Sequence, residues 1–160
     1  MTQAPATPAI EGWFRVGDAD TAPALLGSRC TACGCTFFPV TAGFCRNPSC
    51  AGEEFATVEL ARRGRIWSYT DAQYQPPKPY IADTDPYEPF ALAAVELPEG
   101  LVVMGQVARG YGVADLRVGL EVELVVERLY TDETGDRLIW RWRPLTDAVP
   151  EGAREQEVSA

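Results

Sequence analysis

Five cysteines between positions 30 and 50 are the residues of this chain best suited to chemistry. They read Cys30-Thr31-Ala32-Cys33-Gly34-Cys35, then Cys45-Arg46-Asn47-Pro48-Ser49-Cys50. Tetrahedral zinc takes four soft ligands at about 2.3 Å. A C-x2-C turn aims two sulfurs at one point, and Gly34 follows the second cysteine, where such a knuckle needs a positive φ. The second pair has four intervening residues, still within the range of zinc sites. Gly34 to Phe44, eleven residues, is long enough for a hairpin return. The spacing predicts a metal held by Cys30, Cys33, Cys45 and Cys50, with Cys35 left over. Four protein ligands leave no open coordination position, so the predicted centre is structural. Iron in a four-thiolate site is chemically allowed, but the longer second knuckle favours zinc. A zinc tetrathiolate also adds about two negative charges.

Other chemistries are poorly supplied. There is no histidine, which removes Ser-His-Asp and Cys-His nucleophile systems and every His-ligated metal. Lys78 is the only lysine, and no Gly-rich phosphate loop precedes it. The net charge of -9 repels a phosphate backbone, so broad nucleic-acid binding is disfavoured. At 160 residues and 46% hydrophobic, the chain can bury a core as one domain or one plus a small appendage. No apolar run approaches the roughly 18 residues of a membrane span. Met1 to Ile10 has neither a basic start nor an apolar core, so no signal or transit peptide is expected there. These features predict a cytoplasmic protein with reduced thiols, better suited to metal than to disulfides.

Mostly strands must position these groups. Five strand signals follow Glu59: Arg65–Thr70, Phe90–Leu97, Leu101–Val107, Leu120–Val126 and Arg137–Arg143. Pro98-Glu99-Gly100 and Thr131–Asp136 read as hairpin turns. Gly112 to Val118 has room for one helical turn. Five antiparallel strands with that insert suit a small closed OB-type barrel, and a five-stranded sandwich fits the periodicity almost as well. Trp140 and Trp142 share a strand face, read as core packing in preference to a base-stacking platform. Before the cysteines, residues 1–12 read as mobile, Asp18 to Pro23 as a turn or helix start, and Ala24-Leu25-Leu26 as a short apolar element.

The loop from Gln73 to Pro89 carries five prolines and three tyrosines. A stiff segment displaying Tyr74, Tyr80 and Tyr87 fits a partner or substrate-channel surface; the bland alternative is a self-packed loop. Asp83 and Asp85 read as solvated charges in preference to an acid pair. Arg62, Arg63 and Arg65 form the one basic cluster, read as a solvated turn against a phosphate or carboxylate contact.

Several motifs taken together carry a resemblance. They are Cys30-x-x-Cys33-Gly34, Phe37-Phe38-Pro39, the second cysteine pair, Gly64-Arg65-Ile66-Trp67-Ser68-Tyr69-Thr70, Val118-Gly119-Leu120-Glu121-Val122 and Trp142-Arg143-Pro144. Over residues 28–146 the chain resembles the zinc-ribbon plus OB-fold accessory proteins that partner thiolase-superfamily enzymes. That family includes the small subunit of benzoylsuccinyl-CoA thiolase, OB-fold partners of steroid side-chain aldolases, and archaeal bridging proteins of thiolase and hydroxymethylglutaryl-CoA synthase. The resemblance implies a mostly β protein, a rubredoxin-like zinc ribbon followed by a five-stranded OB-fold barrel. The implied organisation is an N-terminal extension over 1–27, a ribbon over 28–58, a barrel over 59–146 and a flexible tail over 147–160. Two features depart from the family pattern: the Cys-x4-Cys knuckle, and a Pro- and Gly-rich N-terminal segment where many members carry a helix.

The resemblance implies no catalytic residue, in agreement with the absent histidine. The expected function is that of a non-catalytic, zinc-binding subunit of a thiolase-like enzyme that cleaves a carbon–carbon bond of an acyl-CoA, by thiolysis or retro-aldol reaction. A free-standing acyl-CoA or lipid-binding module is the alternative. A single-stranded nucleic-acid OB protein is a third reading, opposed by the charge.

Overall fold

The computed structural model describes residues 6–82 and 84–145. Its elements are nearly all strands. Five of them close a barrel: β6 (Arg63–Ala72), β7 (Phe90–Glu96), β8 (Val102–Val107), β9 (Glu121–Asp132) and β10 (Gly135–Pro144). The ring runs β6-β7-β8-β10-β9 and returns to β6. Closure excludes the open sandwich and leaves no free sheet edge in the ring. Alternation on β9 explains its place: Val122 and Leu124 are buried, while Glu121 pairs across the strands with Arg65 and Glu123 with Arg143.

One expectation needs correction. The strands are not all antiparallel: β10 runs parallel to β8, with Arg141 opposite Gln106. A hairpin forces an antiparallel pair. The segment from Ala108 to Leu120 instead carries the chain across the barrel, so the strand after the next hairpin arrives parallel. That crossing contains a single 3-10 turn, Val113–Asp115, where one helical turn was expected.

The cysteine-bearing part is a small sheet. β2 (Phe14–Arg15) and β4 (Thr36–Phe37) flank β3 (Ala24–Cys30), and β5 (Phe55–Glu59) also pairs with β3. The expected apolar element at Ala24 is thus a seven-residue strand, and β5 lies before the point where strands were expected. Asp18 to Pro23 is a turn, not a helix start: the Asp18 carboxylate accepts the Asp20 and Thr21 N–H groups, each at 2.9 Å. The N-terminal stretch is also tied down within its described part. β1 (Thr7–Pro8) runs parallel along β10, and the Ala9 N–H donates to the Leu138 carbonyl at 2.7 Å. Asp83 and the expected tail at 147–160 lie outside the described residues.

Ribbon and barrel share one apolar cluster. Phe14 and Leu25 of the ribbon belong to it with Leu60, Ile66, Val122, Leu124, Trp140 and Trp142. Trp140 is the junction. The rings of Trp13, Phe14 and Phe38 lie 6.1, 5.5 and 6.0 Å from it, within the range of favourable aromatic pairs. Trp142 is fully buried, as the core reading of this strand face requires. Gly105 makes room for both indoles: a Cβ there would stand 2.8 Å from Trp140 Nε1 and 3.0 Å from Trp142 Nε1. The basic cluster at the start of β6 contacts the barrel wall. Arg65 pairs with Glu121 at 3.0 Å, Arg63 with Glu123 at 3.8 Å, and Arg62 donates to the Leu124 carbonyl.

Candidate metal centre

β3 delivers Cys30 at its last residue, and the first knuckle follows at once. Gly34 adopts φ +75°, and its N–H donates to the Cys30 carbonyl at 2.9 Å, which turns the chain back. The Cys30 N–H in turn donates to the Cys35 carbonyl at 2.9 Å. The second knuckle closes on itself. Cys50 N–H donates to the Asn47 carbonyl at 2.9 Å, and Cys45 N–H reaches the Gly52 carbonyl at 2.8 Å. The Asn47 side chain accepts the Ser49 N–H and points its amide at Cys35 Sγ.

The two knuckles bring four sulfurs together. Sγ atoms of Cys30, Cys33, Cys45 and Cys50 all lie within 4.8 Å of one another. Cys30 and Cys50 are 3.9 Å apart, and Cys33 and Cys45 are 3.6 Å apart. A tetrahedron with metal–sulfur bonds of about 2.3 Å has edges of about 3.8 Å, so the quartet is already spaced to hold one such ion. Cys35 stands outside it. Gly52 supplies the last part of the cradle. Its N–H donates to Cys50 Sγ at 3.3 Å. A Cβ at Gly52 would meet Cys30 Sγ at 2.9 Å and Cys50 Sγ at 3.3 Å. Sequence reasoning missed Gly52, though a glycine two residues beyond a ligating cysteine was its visible signal.

The electrostatics of the bare thiols point the same way. The Cys35 N–H holds the Cys33 thiol down to about 6, with help from neighbouring side chains. At Cys45 the Asn47 N–H favours the thiolate, but burial and the crowding of Cys33, Cys30 and Cys50 outweigh it and push the thiol up to about 12. The Cys33 thiolate forms readily, and a second thiolate at Cys45 is opposed. A divalent cation at the centre reverses that repulsion.

The tyrosines of the long loop do not share one setting. Tyr87 donates to the Ala72 carbonyl at 2.6 Å and stacks edge-on with Phe90 at 6.3 Å. Tyr80 is half-buried and lines a cavity with Tyr87, while Tyr74 is 83% exposed. Asp85 is exposed. Sequence reasoning also missed the buried Arg141, whose Nε lies 3.2 Å from Glu127.

Residues 18–56 match the family described as the ChsH2 rubredoxin-like zinc ribbon domain, and residues 57–127 match the ChsH2 C-terminal OB-fold domain. The chain belongs to the ChsH2 family. Among its relatives, benzoylsuccinyl-CoA thiolase subunit BbsA of Thauera aromatica is 36% identical over 118 residues, 74% of each chain. A DUF35 domain-containing scaffold protein of Methanocaldococcus jannaschii is 30% identical over 109 residues, 68% of this chain and 71% of that one. The solved structure of the Ltp2-ChsH2(DUF35) aldolase aligns with TM-score 0.59 and 28% identity, covering 77% of this chain and 86% of that one. In this ChsH2-family chain the ribbon and barrel therefore follow each other as the motif resemblance implies. Among the described residues, no helix is long and apolar enough to cross a membrane.

Proposed function

We propose that this chain is a non-catalytic, zinc-binding subunit that assembles with a thiolase-fold enzyme acting on an acyl-CoA. One observation carries the reading. The relatives that match across both domains are named as a thiolase subunit, a scaffold protein and a chain of the Ltp2-ChsH2(DUF35) aldolase. The site chemistry supports it. The four-thiol quartet would use every coordination position on protein ligands, so the ion would supply rigidity and no Lewis-acid site for substrate. The all-sulfur donor set and its spacing favour zinc, and the reduced quartet fits the cytosol. We assign Tyr74, Tyr80 and Tyr87 to the surface that meets the partner or its substrate channel. Tyr74 offers the open ring, and Tyr80 and Tyr87 brace the loop that presents it.

The test is assembly. The tagged chain, expressed in its native cell, should co-elute with a thiolase-fold enzyme whose acyl-CoA carbon–carbon bond cleavage depends on it. The chain alone should turn over no acyl-CoA. Turnover by the isolated chain refutes the non-catalytic role, and a thiolase-fold enzyme fully active without the chain refutes the subunit role. Replacing Tyr74, Tyr80 and Tyr87 by alanine should leave zinc content intact and weaken assembly about tenfold or more.

A further inference from the structure

The barrel closes on itself, but the ribbon sheet does not. Among the described residues β5 pairs with β3 alone, while β2 and β4 lie along the opposite edge of β3. The register shows which way the β5 backbone points. The Leu60 N–H donates to the Leu25 carbonyl at 3.0 Å, and the Thr31 N–H to the Glu54 carbonyl at 3.0 Å. Between these two anchors the antiparallel ladder runs without a bulge. Hydrogen-bonded pairs alternate along such a ladder. Ala56 and Val58 therefore face β3, and Phe55, Thr57 and Glu59 turn their N–H and C=O groups outward. Among the described residues none of these six groups has a hydrogen-bond partner.

Natural edge strands are commonly blunted by proline, lysine or a bulge. Phe55-Ala56-Thr57-Val58-Glu59 carries none of these. Its one charge, Glu59, is drawn to Arg15 at 2.7 Å. Ala56 and Thr57 are exposed, so the edge is open to solvent. A cleft of about 380 Å³ adjoins it, lined by Trp13, Leu26, Val40 and Thr57 with Glu11 and Gly12. A row of backbone donors and acceptors is matched by another extended backbone, and a flanking pocket by that strand's alternate side chains.

We propose, resting on the subunit reading, that β5 takes up an extended segment of the partner enzyme, which adds a strand to the ribbon sheet and seats one apolar side chain among Trp13, Leu26 and Val40. A second copy of this chain could offer the same kind of edge. The net charge of -9, which a zinc tetrathiolate would make more negative still, opposes that pairing and favours a foreign strand.

Amide hydrogen exchange of the zinc-loaded chain, alone and in complex with the co-eluting enzyme, reads the edge directly. Alone, the Phe55, Thr57 and Glu59 N–H groups should exchange fast, and those of Ala56, Val58 and Leu60 slowly. In the complex the three outward groups should slow about a hundredfold or more. Thr57→Pro removes one outward donor and no bond to β3, so zinc content should hold while assembly weakens about tenfold or more. Where the proline variant loses zinc, Thr57→Lys tests the same edge with a charge and should weaken assembly as much. A complex whose outward amides stay as fast as in the free chain overturns the strand addition and leaves the subunit reading standing. Wild-type assembly by either zinc-loaded variant does the same. A chain that captures no thiolase-fold enzyme overturns both. Outward amides already protected in a dimer of the isolated chain would give the edge to a second copy and overturn the proposal.

Discussion

Replacing Gly52 by alanine tests whether the sulfur cradle is built as tightly as it looks. A Cβ at position 52 would lie 2.9 Å from Cys30 Sγ, 3.0 Å from Ala32 Cβ and 3.3 Å from Cys50 Sγ. Comfortable contact begins at about 3.5 Å, so the shortest approach is short by roughly 0.6 Å. Gly52 has no positive φ, so backbone strain does not contribute. With a metal bound, both sulfurs are pinned, and the strain must fall on the segment whose Gly52 carbonyl accepts the Cys45 N–H at 2.8 Å. Overpacking of this kind costs about 1–3 kcal/mol, from which alanine's stiffer unfolded chain returns about 0.4–1 kcal/mol. The remainder of about 1–2 kcal/mol corresponds to roughly 5- to 30-fold in zinc affinity, because binding and ribbon folding are one equilibrium. Competition against a chromogenic chelator at neutral pH measures it. Gly112→Ala is the control: no atom lies within 4 Å of its Cβ position, and zinc affinity should not change. A Gly52→Ala chain within a factor of two of wild type refutes the tight cradle.

The other expectations concern the same quartet and the barrel beneath it. Cys33→Ser should strip the metal, whereas Cys35→Ser should leave close to one zinc per chain by elemental analysis; zinc loss from Cys35→Ser would mean the ligand set is wrong. Trp142→Ala empties a site with no exposure, which costs about 3–5 kcal/mol and should lower the melting temperature by about 10 °C or more without changing zinc content. At the β9–β10 hairpin, Asp132 accepts from Thr134 and Arg137, which holds its carboxyl well below the usual range. A depressed carboxyl contributes stability above its unfolded value of about 3.9 and loses it as pH falls through the folded value. Thermal melts of Asp132→Asn should therefore lie below wild type by up to a few degrees at neutral pH, and the two should converge in strong acid.

The clustering of the four cysteines was legible because its information is local. Cys30 and Cys33 share one turn, Cys45 and Cys50 another, and Gly34 marks the knuckle. The barrel strands were legible for the same reason: Val122 and Leu124 alternate with glutamates, and Gly100 closes its hairpin. What escaped is non-local. β5 shows only a weak pattern and becomes a strand because β3 lies beside it, with Gly27 opposite Val58. The two residues of β1 become a strand through β10, more than a hundred positions away. The parallel β8–β10 pair exists only when the ring closes. Gly52 reads as a loop glycine until Cys30 arrives against it, and Arg141 reads as a wet strand position until Glu127 of the adjacent strand pairs with it.

Those non-local contacts also explain how the four-cysteine site bears on the barrel beside it. The ribbon is small: its described strands run from two to seven residues. Such a sheet buries too little apolar surface to hold one conformation alone. A bound ion would fix the two knuckles, and with them β3, whose Leu25 is fully buried. The Leu25 carbonyl accepts the Leu60 N–H at 3.0 Å, just ahead of β6. Phe14, Trp13 and Phe38 then press on Trp140, itself part of the shared apolar cluster. An ion held by the quartet would therefore act on the barrel through one indole ring, and would steady the barrel wall without touching it.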